Sequence, residues 1–121
     1  MTSLVDKLKK AATLSTDLLQ PFFQVMIERK GHSPLTGHSQ NICESICFVT
    51  QNRNLIPFKT LHKGVLHWYL LNASDDTIID PVGEIFTEEP DYTKGVAQPL
   101  PNVPSRSVIE LLDRAGLKVE E

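Results

Sequence analysis

The segment Val65-Leu-His-Trp-Tyr-Leu-Leu71 carries apolar residues at odd and even positions alike. Successive side chains of a strand point to opposite faces, so a segment apolar on both belongs inside a sheet that is covered on both sides. Leu55-Ile-Pro-Phe-Lys-Thr-Leu-His62, just before it, is also rich in aliphatic and aromatic residues, and His62-Lys-Gly64 separates the two as a hairpin turn would. Alternation places His67 with Val65, Tyr69 and Leu71 and turns Trp68 the other way. After turn chemistry at residues 72–76, Thr77-Ile-Ile-Asp80 reads as a third short strand, stopped by Pro81.

Helical patterns flank this sheet. Residues 3–14 put Leu4, Val5, Leu8, Ala11, Ala12 and Leu14 at helical spacing, and Ser3 followed by Asp6 resembles a capping box. A second run covers 17–30, with Pro21 in its first turn, an apolar stripe of Phe22, Phe23, Met26 and Ile27, and Gly31 as its C-cap. The loop 32–38 then opens into a helix over 39–51. Ile42 and Ile46, with Val49 or Thr50, form the buried face of that helix, and Cys43 and Cys47 lie one turn apart on the same side. Residues 82–104 hold Pro90, Pro99, Pro101 and Pro104 and read as an irregular wrap over the surface. Ser105 caps a last helix through Ala115, with Val108, Ile109, Leu111 and Leu112 apolar. The order is helices, a small antiparallel sheet, then one helix. That predicts an α+β chain forming one domain over 1–121, with a helical region at 1–31 and a core at 35–116.

Twelve basic and fifteen acidic residues leave a net charge of −3, with neither sign clustered, so the footprint of a nucleic-acid binder is missing. No apolar run approaches the roughly 20 residues of a membrane span, and no apolar stretch follows the N-terminal lysines as it would in a signal peptide. With Cys43 and Cys47 the only cysteines, the expectation is a chain without disulfides in a reducing cytoplasm. The spacing of Cys43, Cys47, His62 and His67 superficially matches a zinc finger. A finger has its cysteines on a β-knuckle and its histidines on a helix, the reverse of this chain, so no metal and no cofactor is expected.

Three residues could form one site: Ser39 where the loop opens into a helix, His67 in the central strand, and Asp80 ending the next strand. A helix start offers free N–H groups and partial positive charge, which favour an anion. A hydrolase or transferase of papain type needs a nucleophile there, a histidine to take its proton, and a carboxylate or amide to hold that histidine's tautomer. Each residue also has an ordinary explanation. Serine is a good N-cap, a strand histidine can be a satisfied core residue, and Asp-Pro can simply stop a strand. His67 and Asp80 more than about 6 Å apart, beyond any hydrogen bond, would favour a structural domain without a site.

Gly37-His-Ser39, His67-Trp-Tyr-Leu70, Ile79-Asp-Pro81 with Phe86, Tyr92-x-x-Gly95 and Pro104-Ser-x-Ser107 follow one another in order. Together, across about residues 35–112, they resemble a family of short phage- and prophage-type proteins in the transglutaminase-like branch of the papain-like fold. That family shows Gly-His-Cys at the helix start, His-Trp at the strand, and Asp-Pro-Thr with a downstream Gln-Phe. The resemblance implies a papain-like, transglutaminase-like core in which Ser39 takes the position of the nucleophilic cysteine. His67 takes that of the general base, and Asp80 that of the residue orienting it. It also makes Gly37, His38, Trp68 and Tyr92 the residues expected to contact substrate, although His38 and His32 are otherwise read as either cleft-lining or solvated.

The chain departs from the family pattern at Ser39, at Val82 in place of threonine, and at Ile85 in place of glutamine. A hydroxyl ionises far less readily than a thiol, so cysteine-to-serine replacement usually keeps binding and removes most turnover. Ser39 is then either an introduced change or a natural one, in a serine enzyme or a binding-only descendant, with Cys43 as a backup nucleophile. The resemblance implies a hydrolase or acyl transferase acting on a protein or small molecule through an amide, ester or thioester carbonyl. The alternative is a non-catalytic, phage-encoded protein that antagonises a host factor.

Overall fold

The computed structural model describes residues 3–31, 33, 35–62, 64–86 and 88–117; His32 lies outside them. Ser3 accepts a hydrogen bond from the Asp6 N–H at 3.1 Å and opens α1 (Leu4–Thr13), which buries Leu8, Ala11 and Ala12. The expected second helix is shorter than its apolar pattern. A 3-10 turn at Thr16–Leu18 precedes α2 (Pro21–Lys30), which starts at the proline because a ring without an N–H fits the first helical position. Its stripe is not a core face either: none of residues 21–29 is buried, and Phe22 is 61% exposed.

Helix α3 (Ser39–Thr50) ends at Gln51 in the left-handed conformation, and it buries Ile42, Cys43, Ile46 and Cys47. The hairpin follows, as β1 (Leu55–His62) and β2 (Val65–Asn72), with Thr60 opposite His67 and His62 opposite Val65. Strand β3 (Thr77–Ile79) pairs with β2 only over Leu70–Asn72. A two-residue strand that the sequence reading lacks, β4 (Val96–Ala97), pairs with Phe58 and Lys59 on the other edge. The antiparallel order is β3-β2-β1-β4, so β2 is an interior strand.

One apolar cluster joins Leu8, Ala11 and Ala12 of α1, the buried residues of α3, Leu70 of β2, Val82, and Val108, Leu111 and Leu112 of α4 (Arg106–Arg114). Ser105 caps α4 by accepting from the Val108 N–H at 3.3 Å. Ile109, expected on the apolar face, is exposed. Helix α3 is thus packed between the sheet on one side and α1 and α4 on the other. The opposite face of the hairpin is covered by the middle of the 82–104 segment: Phe86 stands edge-on to His67, Tyr92 edge-on to Tyr69, and the Thr60 hydroxyl donates to the Asp91 carbonyl. The chain is α+β. Among the described residues no helix is long and apolar enough to cross a membrane.

Candidate active site

Backbone chemistry sets the start of α3. The Thr36 N–H donates to the Ser33 carbonyl and the His38 N–H to the Leu35 carbonyl, tightening the approach. Gly37 turns the chain with φ of 84°, and a Cβ there would meet the Phe23 ring at 2.6 Å, so position 37 calls for glycine on two counts. His38 is the residue flanking the helix, and Ser39 is its first helical residue. The ordinary reading of Ser39 as an N-cap therefore does not hold. Its Oγ reaches across to the sheet and accepts the Trp68 N–H at 3.1 Å. Trp68 lies just beyond the part of β2 that β3 pairs, so Ser39 supplies the acceptor that a longer β3 would have provided.

His67 projects from β2 on the face opposite α3 and is 1% exposed. Asp80, one residue past the end of β3, brings its carboxylate alongside, and the His67 Nε2–H donates to Asp80 Oδ2 at 2.7 Å. The same oxygen accepts the Tyr92 hydroxyl at 2.7 Å, while Oδ1 accepts the Val82 N–H at 3.3 Å. A carboxylate acceptor puts the imidazole proton on Nε2 and makes Nδ1 the basic nitrogen. The Phe86 ring packs edge-on against both His67 and His62, at 4.8 and 4.4 Å between centroids.

Ser39 and His67 line one cleft of about 290 Å³, together with Gly37, Met26, His62 and Phe86. No hydrogen bond joins Ser39 to His67; the Oγ bond described is to Trp68. Of the other residues expected to contact substrate, Gly37 is on the cleft wall and three are not. Trp68 turns its ring toward the α3 side of the sheet and offers its backbone N–H. Tyr92 lies behind Asp80. His38 is fully buried, with neither ring nitrogen hydrogen-bonded. A larger groove of about 1310 Å³, between β1, the end of α3 and α4, contains none of the three candidate residues.

Burial drives the ionisation behaviour around the cleft. It pushes the His38 imidazole down to about 4, against a smaller upward pull from Asp17. It raises Cys43 well above the thiol range and Cys47 to about 11. Cys43, with no exposure, is an inert core thiol and cannot serve as a backup nucleophile. The zinc-like spacing does not close either: both cysteines lie in the α3 core while His62 and His67 lie on the far face of the hairpin. Among the described residues no group of three or more His, Cys, Asp or Glu side chains could hold a metal ion. The sequence reading missed His62 as a cleft residue, although its register opposite Val65 placed it on the His67 face. Burial and the Asp80 carboxylate both raise the Tyr92 phenol, which keeps it a donor. No protein-family model, curated protein or solved structure matches this chain.

Proposed function

We propose that the chain is a papain-like domain of the transglutaminase-like branch, built as a hydrolase or acyl transferase, with serine at its nucleophile position. The observation that carries this reading is the 2.7 Å pair of His67 and Asp80 beside a cleft that Ser39 also lines. In the reaction, Asp80 holds Nε2–H so that Nδ1 takes the proton from the group at position 39. That group bonds to an amide, ester or thioester carbonyl carbon, whose π pair moves to oxygen. Free N–H groups at the start of α3 stabilise the oxyanion, and the Trp68 N–H stabilises charge on the attacking atom. Collapse breaks the bond to the leaving group, which takes its proton from His67; water or an acceptor amine then releases the acyl group.

The test is Ser39→Cys with iodoacetamide. The expected outcome is alkylation at position 39 about tenfold or more faster than that of free cysteine, with the excess lost in Ser39→Cys/His67→Ala. A thiol no faster than free cysteine, or one indifferent to His67, would rule the reading out. Ser39 accepting from Trp68 without bonding His67 favours a second reading, a binding protein that antagonises a host factor without turnover. It predicts that a partner is retained whether position 39 is Ser, Cys or Ala, and loss of the partner on Ser39→Ala with the fold intact counts against it.

A further inference from the structure

Asp80 has little of its own to fix the direction of its carboxylate. It follows the last residue of β3, and the backbone bond its carboxylate accepts, from the Val82 N–H to Oδ1, is long at 3.3 Å. Gly83 packs against it so closely that a Cβ would lie 3.0 Å from the Asp80 carboxyl carbon, which limits its room without aiming it. The aim comes from Tyr92, 12 residues further on, whose hydroxyl meets the oxygen that His67 uses.

Tyr92 is itself held from several directions. The Tyr69 hydroxyl donates to its carbonyl at 3.0 Å, and the two rings stand edge-on at 4.8 Å. The Thr60 hydroxyl holds the preceding carbonyl at 3.2 Å, and β4 ties the segment to β1 just afterwards. We propose that Tyr92 is a positioning residue of the site: by sharing Asp80 Oδ2 with His67 it fixes the carboxylate, and through it the tautomer and orientation of the imidazole. Tyr69, on the same face of β2 as His67, anchors the Tyr92 backbone. The proposal rests on the His67–Asp80 reading above, but the state of the His67 ring can be read without any reaction at position 39.

The experiment uses the full chain and ring ¹H–¹⁵N correlations of His67 near neutral pH, which report which nitrogen carries the proton. The protein with Tyr92 is expected to hold a single Nε2–H form. Tyr92→Phe, with its sheet and unfolding midpoint retained, is expected to give a mixture of tautomers. In the Ser39→Cys background, Tyr92→Phe is expected to slow alkylation by iodoacetamide roughly tenfold, the scale of one hydrogen bond to a charged group. In the Asp80→Asn background Tyr92→Phe should bring little further loss, since Tyr92 acts only through that carboxylate. An unchanged His67 tautomer in Tyr92→Phe, or losses that multiply between Tyr92→Phe and Asp80→Asn, would overturn the proposal. Should Tyr92→Phe fail to fold, Tyr69→Phe, which keeps the Tyr92 hydroxyl but frees its backbone, carries the same expectation of a mixed tautomer, and an unaltered ring would overturn it. A thiol at position 39 that is not activated even with Tyr92 present counts against the proposed function alone, and the tautomer measurement still decides the role of Tyr92.

Discussion

The imidazole of His38 is enclosed at the start of α3, where the helix dipole as well as burial opposes a positive charge. Asp17, the acidic group that pulls the other way, is engaged by Arg114 through bonds of 2.7 and 2.9 Å. The unfolded chain takes up this proton near 6.5, the folded one near 4. Between those values the unfolded state binds more protons, so stability is full above about 6.5 and falls as the pH drops toward 4, by about 3 kcal/mol. Urea unfolding at pH 7 and 4.5 checks this: His38→Leu is expected to lose most of the difference between the two. At this scale His67 and Asp80 were legible because strand parity and one short turn fix where they go. The burial of His38, the use of the Trp68 backbone rather than its ring, and the aim of the Tyr92 hydroxyl were not. Each depends on how a loop docks onto the sheet, which no local pattern encodes.

Among the elements, the hairpin and α3 end where their turn and cap residues place them. In β1 and β2 the limits come from Asn52-Arg-Asn54 and Gly64, and in α3 from the left-handed Gln51. Two elements departed from their patterns. The stripe of α2 is only half-buried, with Phe23 against Gly37 and Met26 on the cleft wall while Phe22 stays exposed, and β4 exists only because Gln98 and its neighbours are drawn onto β1, the Gln98 N–H reaching the Pro57 carbonyl at 2.8 Å. Periodicity detects a face but not whether anything packs on it. For α4, whose Val108, Leu111 and Leu112 enter the shared core, the cap matters more than an exposed Ile109. Ser105→Ala is expected to lower stability by about 1 kcal/mol, read as a lower urea midpoint with an unchanged slope.

Over the whole molecule, α3 and its helical layer lie on one side of the sheet, with Phe86 and Tyr92 of the 82–104 segment on the other, and the candidate site reaches both. Gly95 sets how closely that segment can approach: a Cβ there would collide with the Tyr69 hydroxyl oxygen and lie 2.7 Å from the ring carbon bearing it. Gly95→Ala must push the segment off or displace Tyr69, and is expected to cost about 2 kcal/mol by thermal unfolding. Tyr69→Phe should recover part of the loss, because it removes the nearest colliding atom.

The hydrogen bond between Ser39 and Trp68 also bears on the order in which a nascent chain acquires its parts. His67 to Asp80 and Asp80 to Tyr92 close over 13 and 12 residues, whereas Ser39 to Trp68 closes over 29. The longer closure costs about 0.7 kcal/mol more in chain entropy, and it also requires α3 to dock on a hairpin already formed. On closure entropy alone, a partly folded chain therefore holds the His67–Asp80 pair before it holds the Ser39–Trp68 bond.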